Sequence, residues 1–224
     1  YLGLAIQDAV AKNLELLREE NTYTVTTGHQ LCLYTGPLYF IYKIISAIRL
    51  SELLKEKFPS KNIIPVYWMA TEDHDFEEVN HAFLFGNKIV WNSEQTGAVG
   101  AFVPDPAVIA MFEEACGNTL NRDHITGIIK SAYEKASLAE AVRFLINELF
   151  GKYGLIIIDG ADKRLKSGFK RIFREELYTQ TGYSSVNKTN HALKNRAYKV
   201  QVNPREINLF YLSDGVRERI EKSG

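Results

Sequence analysis

The run NIIPVYWMA at 62–70 constrains the fold more than any other stretch of the chain. It is far shorter than the roughly 20 apolar residues that span a bilayer. Its near-continuous apolar character is the pattern of a parallel strand buried on both faces. Upstream, TYTVTT at 22–27 has the length and the β-branched, aromatic content of a second strand, stopping at Gly28. Between the two, Pro37 suits the first turn of a helix, where a missing N–H costs nothing. Ile41, Ile44, Ile45 and Ile48 then recur at helical spacing, which predicts a helix over about 37–57. Strand, helix, strand is a βαβ unit, and such units place their ligand crevices at the carboxyl ends of the strands. LIIID at 155–159 is the third strand of the same kind.

The 224 residues are 46% hydrophobic and 24% charged, enough apolar content for a core of ordinary size. Lys plus Arg and Asp plus Glu number 27 each, so no bulk charge favours a polyanion, and a nucleic-acid partner is not expected. Cys32 and Cys116 lie far apart without metal-type spacing, which fits a reducing, cytoplasmic setting and structural roles. No run is long enough for a membrane span, and the start YLGLAIQDAVAKNLELLREE reads as an amphipathic helix rather than a leader. The first residue is not Met, so the chain is expected to be a fragment.

Residues 1–84 form the first half of a Rossmann-like core. Residues 85–153 read as an inserted subdomain: a hairpin region over 83–103, then helical patterns from 106 to 153 closed by Gly154. Residues 154–224 return to the core and begin a further connecting segment, with a helix carrying Phe169, Ile172, Phe173 and Leu177 and β-like pieces YKVQV and NLFYL. The fold class is α/β, a parallel core with a mixed hairpin and helical insertion. Three parallel strands are fewer than a full doubly wound sheet uses, so the core is expected to be incomplete.

Two strand-end segments carry the candidate chemistry. TEDHDFEEVNH at 71–81 places Glu72, Asp73, His74 and Asp75 directly after a buried strand. An imidazole between two aspartates suits general acid or base work near neutral pH. The same oxygens suit a divalent cation, and a helix beyond 75 would put Glu77 and His81 on one face. The plain alternative is a solvated acidic helix start. No metal ligand set is singled out.

In GHQLCLYTGP, Gly28 and Gly36 allow close backbone approach, His29 and Gln30 add donors, and Thr35 can cap the following helix or touch ligand. A helix opening at Pro37 would aim free N–H groups at a phosphate or carboxylate. The plain alternative is a tight turn with a satisfied histidine. Neither the dinucleotide G-x-G-x-x-G spacing nor a P-loop is present. Lys43 reads as surface, and Tyr39 and Tyr42 as packing residues. Asp159 and Asp162 follow the third strand, as ribose or amine ligands or as helix caps. Gln201, Asn203 and Arg205 read as polar groups on an edge strand, with Arg205 able to clamp a carboxylate. His124 and His191 are assigned to structure.

TGHQLCLYTGPLYFIYKIISAI and PVYWMATEDHDFEEVNHAFL, and more loosely VQVNPREINLFYLSDGVRERIE, resemble the BshC family, the cysteine-adding enzymes of bacillithiol biosynthesis. The resemblance implies a Rossmann-like core related to class I nucleotidyltransferases and aminoacyl-tRNA synthetases. It implies a ligase that joins cysteine, through its carboxylate, to the amine of glucosaminyl-malate, with activation by ATP. It also implies a coiled coil through which the full-length protein, but not this chain, forms homodimers. The carboxylates at 72, 73 and 75 would then bind the attacking amine or take its proton. The loop at 28–37 stands where the nucleotidyltransferase His-Ile-Gly-His signature cradles phosphate, matched here only at Gly28 and His29. No Lys-Met-Ser-Lys-Ser-like loop is found. Two readings stand beside the ligase: a nucleotidyltransferase-like enzyme acting on another carboxylic acid, and a non-catalytic ligand-binding domain.

Overall fold

A computed structural model of the chain describes residues 4–213 and 215–222. The chain divides into two compact units, 1–161 and 162–224. In the first, α1 (Asp8–Leu16) leads into β1 (Thr22–His29), α2 (Leu38–Lys57) and β2 (Asn62–Met69). There follow a single turn α3 (Phe76–Val79), the hairpin β3 (His81–Leu84) and β4 (Asn87–Val90), three helices α4 (Pro106–Cys116), α5 (Arg122–Tyr133) and α6 (Leu138–Phe150), and β5 (Ile156–Asp159).

The sheet order is β1-β2-β5, parallel throughout, with Gly28 opposite Trp68 and both His29 and Asp159 opposite Met69. The α/β architecture and its parallel core are therefore those read from TYTVTT, NIIPVYWMA and LIIID. Side-chain alternation assigns the two faces. Ile64, Val66 and Ile156 pack with Leu14 and Leu16, whereas Tyr67, Met69 and Leu155 join the larger core with α2 and α6. Pro65 sits inside β2 without an N–H to give, which the sheet tolerates because pairing with β5 begins only at Val66. Residues from the 85–153 segment, among them Trp91, Phe102, Phe112, Tyr133 and Ile146, share that larger core with Phe40 and Ile44 of α2.

Several local expectations are corrected. β2 is not buried on both faces along its whole length, since Trp68 is 38% exposed. The buried face of α2 runs Phe40, Ile44, Ala47, Ile48 and Ser51, leaving Ile45 exposed, because the sheet and the 31–36 loop set the helix rotation rather than isoleucine spacing. Pro37 occupies the N-cap, with extended backbone angles, one residue before the first turn. Of the β-like pieces over 83–103, only β3 and β4 pair, and residues 99–101 form a 3-10 turn.

The second unit contains α7 (Lys163–Ser167), α8 (Lys170–Thr179), α9 (Thr181–Asn195) and the antiparallel hairpin β6 (Phe210–Ser213) with β7 (Val216–Arg219). Residues 198–209 have no regular structure, so Gln201, Asn203 and Arg205 do not lie on an edge strand. Among the described residues no helix is long and apolar enough to cross a membrane.

Candidate functional site

β1 and β2 are adjacent and parallel, so their carboxyl ends deliver residues 28–37 and 71–78 to one rim of the sheet. Gln30 joins the two segments. Its amide donates to Asp73 Oδ2 at 2.8 Å and to Glu78 Oε2 at 2.5 Å. Burial alone would raise the Asp73 pKa, but the Gln30 amide and the backbone N–H groups of His74 and Asp75 hold it below the ordinary carboxylate value.

The 71–75 loop is strapped from outside. Val99 N donates to Asp73 O at 2.7 Å and Gly100 N to Thr71 O at 3.1 Å. Gly100 is required by this close approach, since a Cβ there would lie 2.6 Å from the Thr71 carbonyl oxygen. Asp73 also accepts from the His74 backbone N–H at 2.8 Å. His74 itself has a 56% exposed side chain, 3.4 Å from Asp73 Oδ1. Asp75 is exposed and precedes α3 without capping it. α3 lasts one turn and His81 already belongs to β3, so Glu77 and His81 do not share a helical face. The hairpin register, His81 opposite Val90, overrides the local helical tendency. Among the described residues no group of three or more His, Cys, Asp or Glu is arranged to hold a metal ion.

Glu72 turns toward Gly160, where a Cβ would collide with its carboxylate, and its Oε2 is buried without a hydrogen-bond partner. Asp159 ends β5; its Oδ1 accepts from the Thr71 hydroxyl and, at 2.9 Å, from Ala161 N. Its Oδ2 lies 4.0 Å from Nη1 of Arg143, a side chain only 12% exposed. Asp162 takes the capping role, accepting from Arg164 N at 2.8 Å at the start of α7. The Arg164 guanidinium and backbone N–H hold its carboxyl far below the usual range. Arg205 belongs to the second unit, where it lines a cavity of about 270 Å³ with Glu206 and Arg219.

On the β1 side, residues 33–35 form a 3-10 turn with Tyr34 at φ 47° and Thr35 at φ 74°, followed by Gly36 at φ 51°. A Cβ at Gly36 would run into Cys32, so glycine is demanded by both conformation and space. The Tyr133 hydroxyl accepts the Tyr34 N–H at 2.7 Å and steadies the turn from α5. No side chain caps α2, which removes the capping role read for Thr35. His29 packs its ring against Phe40 at 5.0 Å between centroids and brings Nδ1 to 3.2 Å from the Gln30 carbonyl. Cys32 is 3% exposed, and burial, with the Glu78 charge second, pushes its thiol up to about 11.

Lys43, read from the sequence as surface, is half-buried, and its ammonium donates to the Gly28 carbonyl at 2.5 Å and lies 5.5 Å from the Tyr39 ring centre. Its position follows from how α2 lies on β1, for which the sequence carries no signal. Arg143 did carry one. It stands four residues after Ala139 and three before Ile146 on the buried face of α6, a charge where the pattern calls for an apolar residue. Thr71, 2% exposed, and Glu78 also join the rim without having been singled out. Beside α3, Glu77, Asn80, Glu94 and Asp105 line an open cavity of about 810 Å³.

The arrangement gives one rim with an imidazole and an ammonium on the β1 side and carboxylates on the β2 and β5 side. Such a rim can take a ligand carrying both donor and anionic groups. The family described as "Bacillithiol biosynthesis BshC, N-terminal Rossmann-like domain" matches residues 1–224. Proteins named "Putative cysteine ligase BshC" are similar throughout. That of Flavobacterium johnsoniae is 49% identical over 223 residues, and that of Cytophaga hutchinsonii 44% over 225. These alignments cover 98% and 100% of this chain and 42% of each relative. The one from Chlorobaculum tepidum is 33% identical over 227 residues, 94% of this chain and 40% of the relative. The chain thus spans about 42% of the length of the first two relatives. With the parallel core, the two strand-end segments and a match along the whole chain in agreement, the chain belongs to the BshC family, in the region of its N-terminal Rossmann-like domain.

Proposed function

We propose that this chain supplies the β1 and β2 rim of a ligase site at which cysteine, activated at its carboxylate, is joined to the amine of glucosaminyl-malate as the last step of bacillithiol formation. The observation that carries the reading is the Gln30 bridge, by which the residue after His29 at the end of β1 holds Asp73 and Glu78 from the end of β2, with the Lys43 ammonium of α2 on the Gly28 carbonyl. Carboxylates there suit an incoming ammonium group, and a lysine at the opposite lip suits an anion.

ATP is the proposed co-substrate. The groups that fit its phosphates are the Lys43 ammonium and the first-turn N–H groups of α2, which has no side-chain cap. ATP would supply a leaving group on the cysteine carboxyl. This chain's own residues would bind the amine, orient it and take its proton. Asp73, His74 and Asp75, with Glu72 beside them, stand as the catalytic segment of this proposal; Gly28, His29, Gln30, Thr35, Gly36, Pro37 and Asp159 stand as binding positions on the same rim. Arg205, in the second unit, stands separately as a carboxylate clamp.

The test uses the full-length protein with cysteine, glucosaminyl-malate and ATP, followed by mass spectrometry. Bacillithiol together with AMP or ADP is the expected outcome, and which nucleotide appears identifies the activation chemistry. No product with any nucleoside triphosphate would overturn the reading. ATP–pyrophosphate exchange driven by another acid would move it to the nucleotidyltransferase-like alternative.

A further inference from the structure

We propose that His29 is the proton acceptor of this rim, held in the Nδ1–H tautomer so that its Nε2 lone pair is presented to the ligand. The identity of the donor, an amine, rests on the functional reading above. The tautomer rests on geometry alone.

A carbonyl oxygen has no proton to give, so the 3.2 Å approach of His29 Nδ1 to the Gln30 carbonyl is a hydrogen bond only when Nδ1 carries hydrogen. The opposite tautomer would set two lone pairs against each other. Cys32 Sγ, 3.5 Å from the same nitrogen, fits either tautomer, as a weak acceptor from Nδ1–H or as an S–H donor to Nδ1, so the Gln30 carbonyl decides between them. The Cys32 thiol is kept protonated by burial and offers no thiolate that would favour an imidazolium. Nε2 has no hydrogen-bond partner among the described residues. The ring is fixed by Phe40 at 5.0 Å and Tyr39 at 6.0 Å, both on α2.

The charged and titratable groups around this imidazole bear on its charge. From α2 come the Lys43 ammonium and the Tyr39 phenol; from the loop after β1, the Cys32 thiol. From β2, the Tyr67 hydroxyl donates to the His29 carbonyl at 3.4 Å. Asp73 and Glu78 are both engaged by Gln30. Burial lowers the His29 pKa most, the Gln30 carbonyl opposes this, and Lys43 lowers it further; the net direction is down. The imidazole is therefore neutral and ready to accept a proton at neutral pH.

In the step proposed, the amine nitrogen attacks the carboxyl carbon activated by a nucleoside triphosphate. A C–N bond forms, the C–O bond to the phosphate breaks, the electron pair leaves on the phosphate oxygen, and the nitrogen's proton passes to Nε2. This assigns proton acceptance to His29, a binding position in the functional reading, and leaves the 72–75 segment, the exposed His74 included, to bind and orient the amine.

Two measurements on the full-length protein decide this. Long-range 1H–15N spectra of 15N-histidine-labelled protein, with His29 assigned by its loss in H29N, should show the Nδ1–H tautomer at pH 7. An Nε2–H tautomer or an imidazolium at that pH would overturn the proposal. His29→Asn places an amide N–H where Nδ1 was, keeping the Gln30 contact, but has nothing at the Nε2 position. Its turnover should fall by about 10²–10⁴-fold, and the acid limb of the pH profile, expected below about pH 6.5, should vanish. A near wild-type rate, or an unchanged acid limb, would sink the role. Should H29N fail to fold, the tautomer and pH profile of the wild-type protein, assigned through H29Q, still decide. A wild-type protein without ligase activity would end the functional reading, whereas the spectra would still test the presented lone pair.

Discussion

Gln30 is the residue on which the rim depends, because among the described residues it alone bonds both carboxylates from the neighbouring strand end. Replacing it with leucine leaves Asp73 and Glu78 facing each other without a donor between them. The Asp73 pKa lies below its ordinary value in the folded chain, so its contribution to stability is fully present above the unfolded pKa of about 3.9 and is lost as pH falls through the folded value. Gln30→Leu should therefore raise the Asp73 titration midpoint, read by carboxyl 13C shifts. It should also cost about 1 kcal/mol at pH 7, with little cost at pH 2. An Asp73 midpoint that does not move would show that the backbone N–H groups of His74 and Asp75 suffice. At this scale the sequence was informative where strand ends concentrate polar residues, as at Gln30 and Asp73. It was silent where contact depends on the packing of a helix onto a sheet, as for Lys43 against Gly28.

Among the elements, β2 and β5 were legible by their apolar runs and β1, which has no buried residue, by its β-branched and aromatic content; α6 was legible because Ser137 caps it through Glu140 N before a regular apolar face. The one-turn α3 was not. Phe76 packs against Trp91 and Phe102 at 5.0 Å, and the chain then pairs His81 with Val90, so tertiary contacts end a helix that the local acidic run would extend. The strap at 99–101 was equally hidden, since its bonds to Thr71 and Asp73 join segments nearly thirty residues apart. It is testable through Gly100→Ala. The added Cβ would meet Thr71 at 2.6 Å from its carbonyl oxygen and 2.8 Å from its Cβ, and the first of these is backbone, which cannot swing aside. The substitution should cost about 1–3 kcal/mol in denaturant unfolding and lower turnover by displacing the 71–75 loop. Gly127→Ala, on the α5 helix with open space around the glycine, is the control and should be neutral or slightly stabilising. Equal effects of the two would show that the strap is not a close contact in solution.

The two compact units differ in what can hold each together. The first carries both hydrophobic clusters, with Trp91, Tyr67, Phe40 and Ile64 all but inaccessible. In the second, Ile207 is the only apolar side chain recorded as buried among the described residues, and α7, α8 and α9 bury none. Helices of five to fifteen residues without a buried face have little beyond local hydrogen bonds to oppose the entropy of the chain, and isolated helices of this length are marginal in water. The local bonds are present, such as Glu176 accepting from Gly182 N at 2.8 Å and from Asn208 N at 3.1 Å, but these are partly or fully exposed. Hydrogen exchange of the 224-residue chain should therefore separate the units. Amides of β2, with its run of buried residues from Ile63 to Tyr67, should exchange only through global unfolding, while those of α8 and α9 exchange orders of magnitude faster through local opening. Protection in α9 equal to that in β2 would overturn this reading, since the second unit would then be held by more than its exposed local hydrogen bonds.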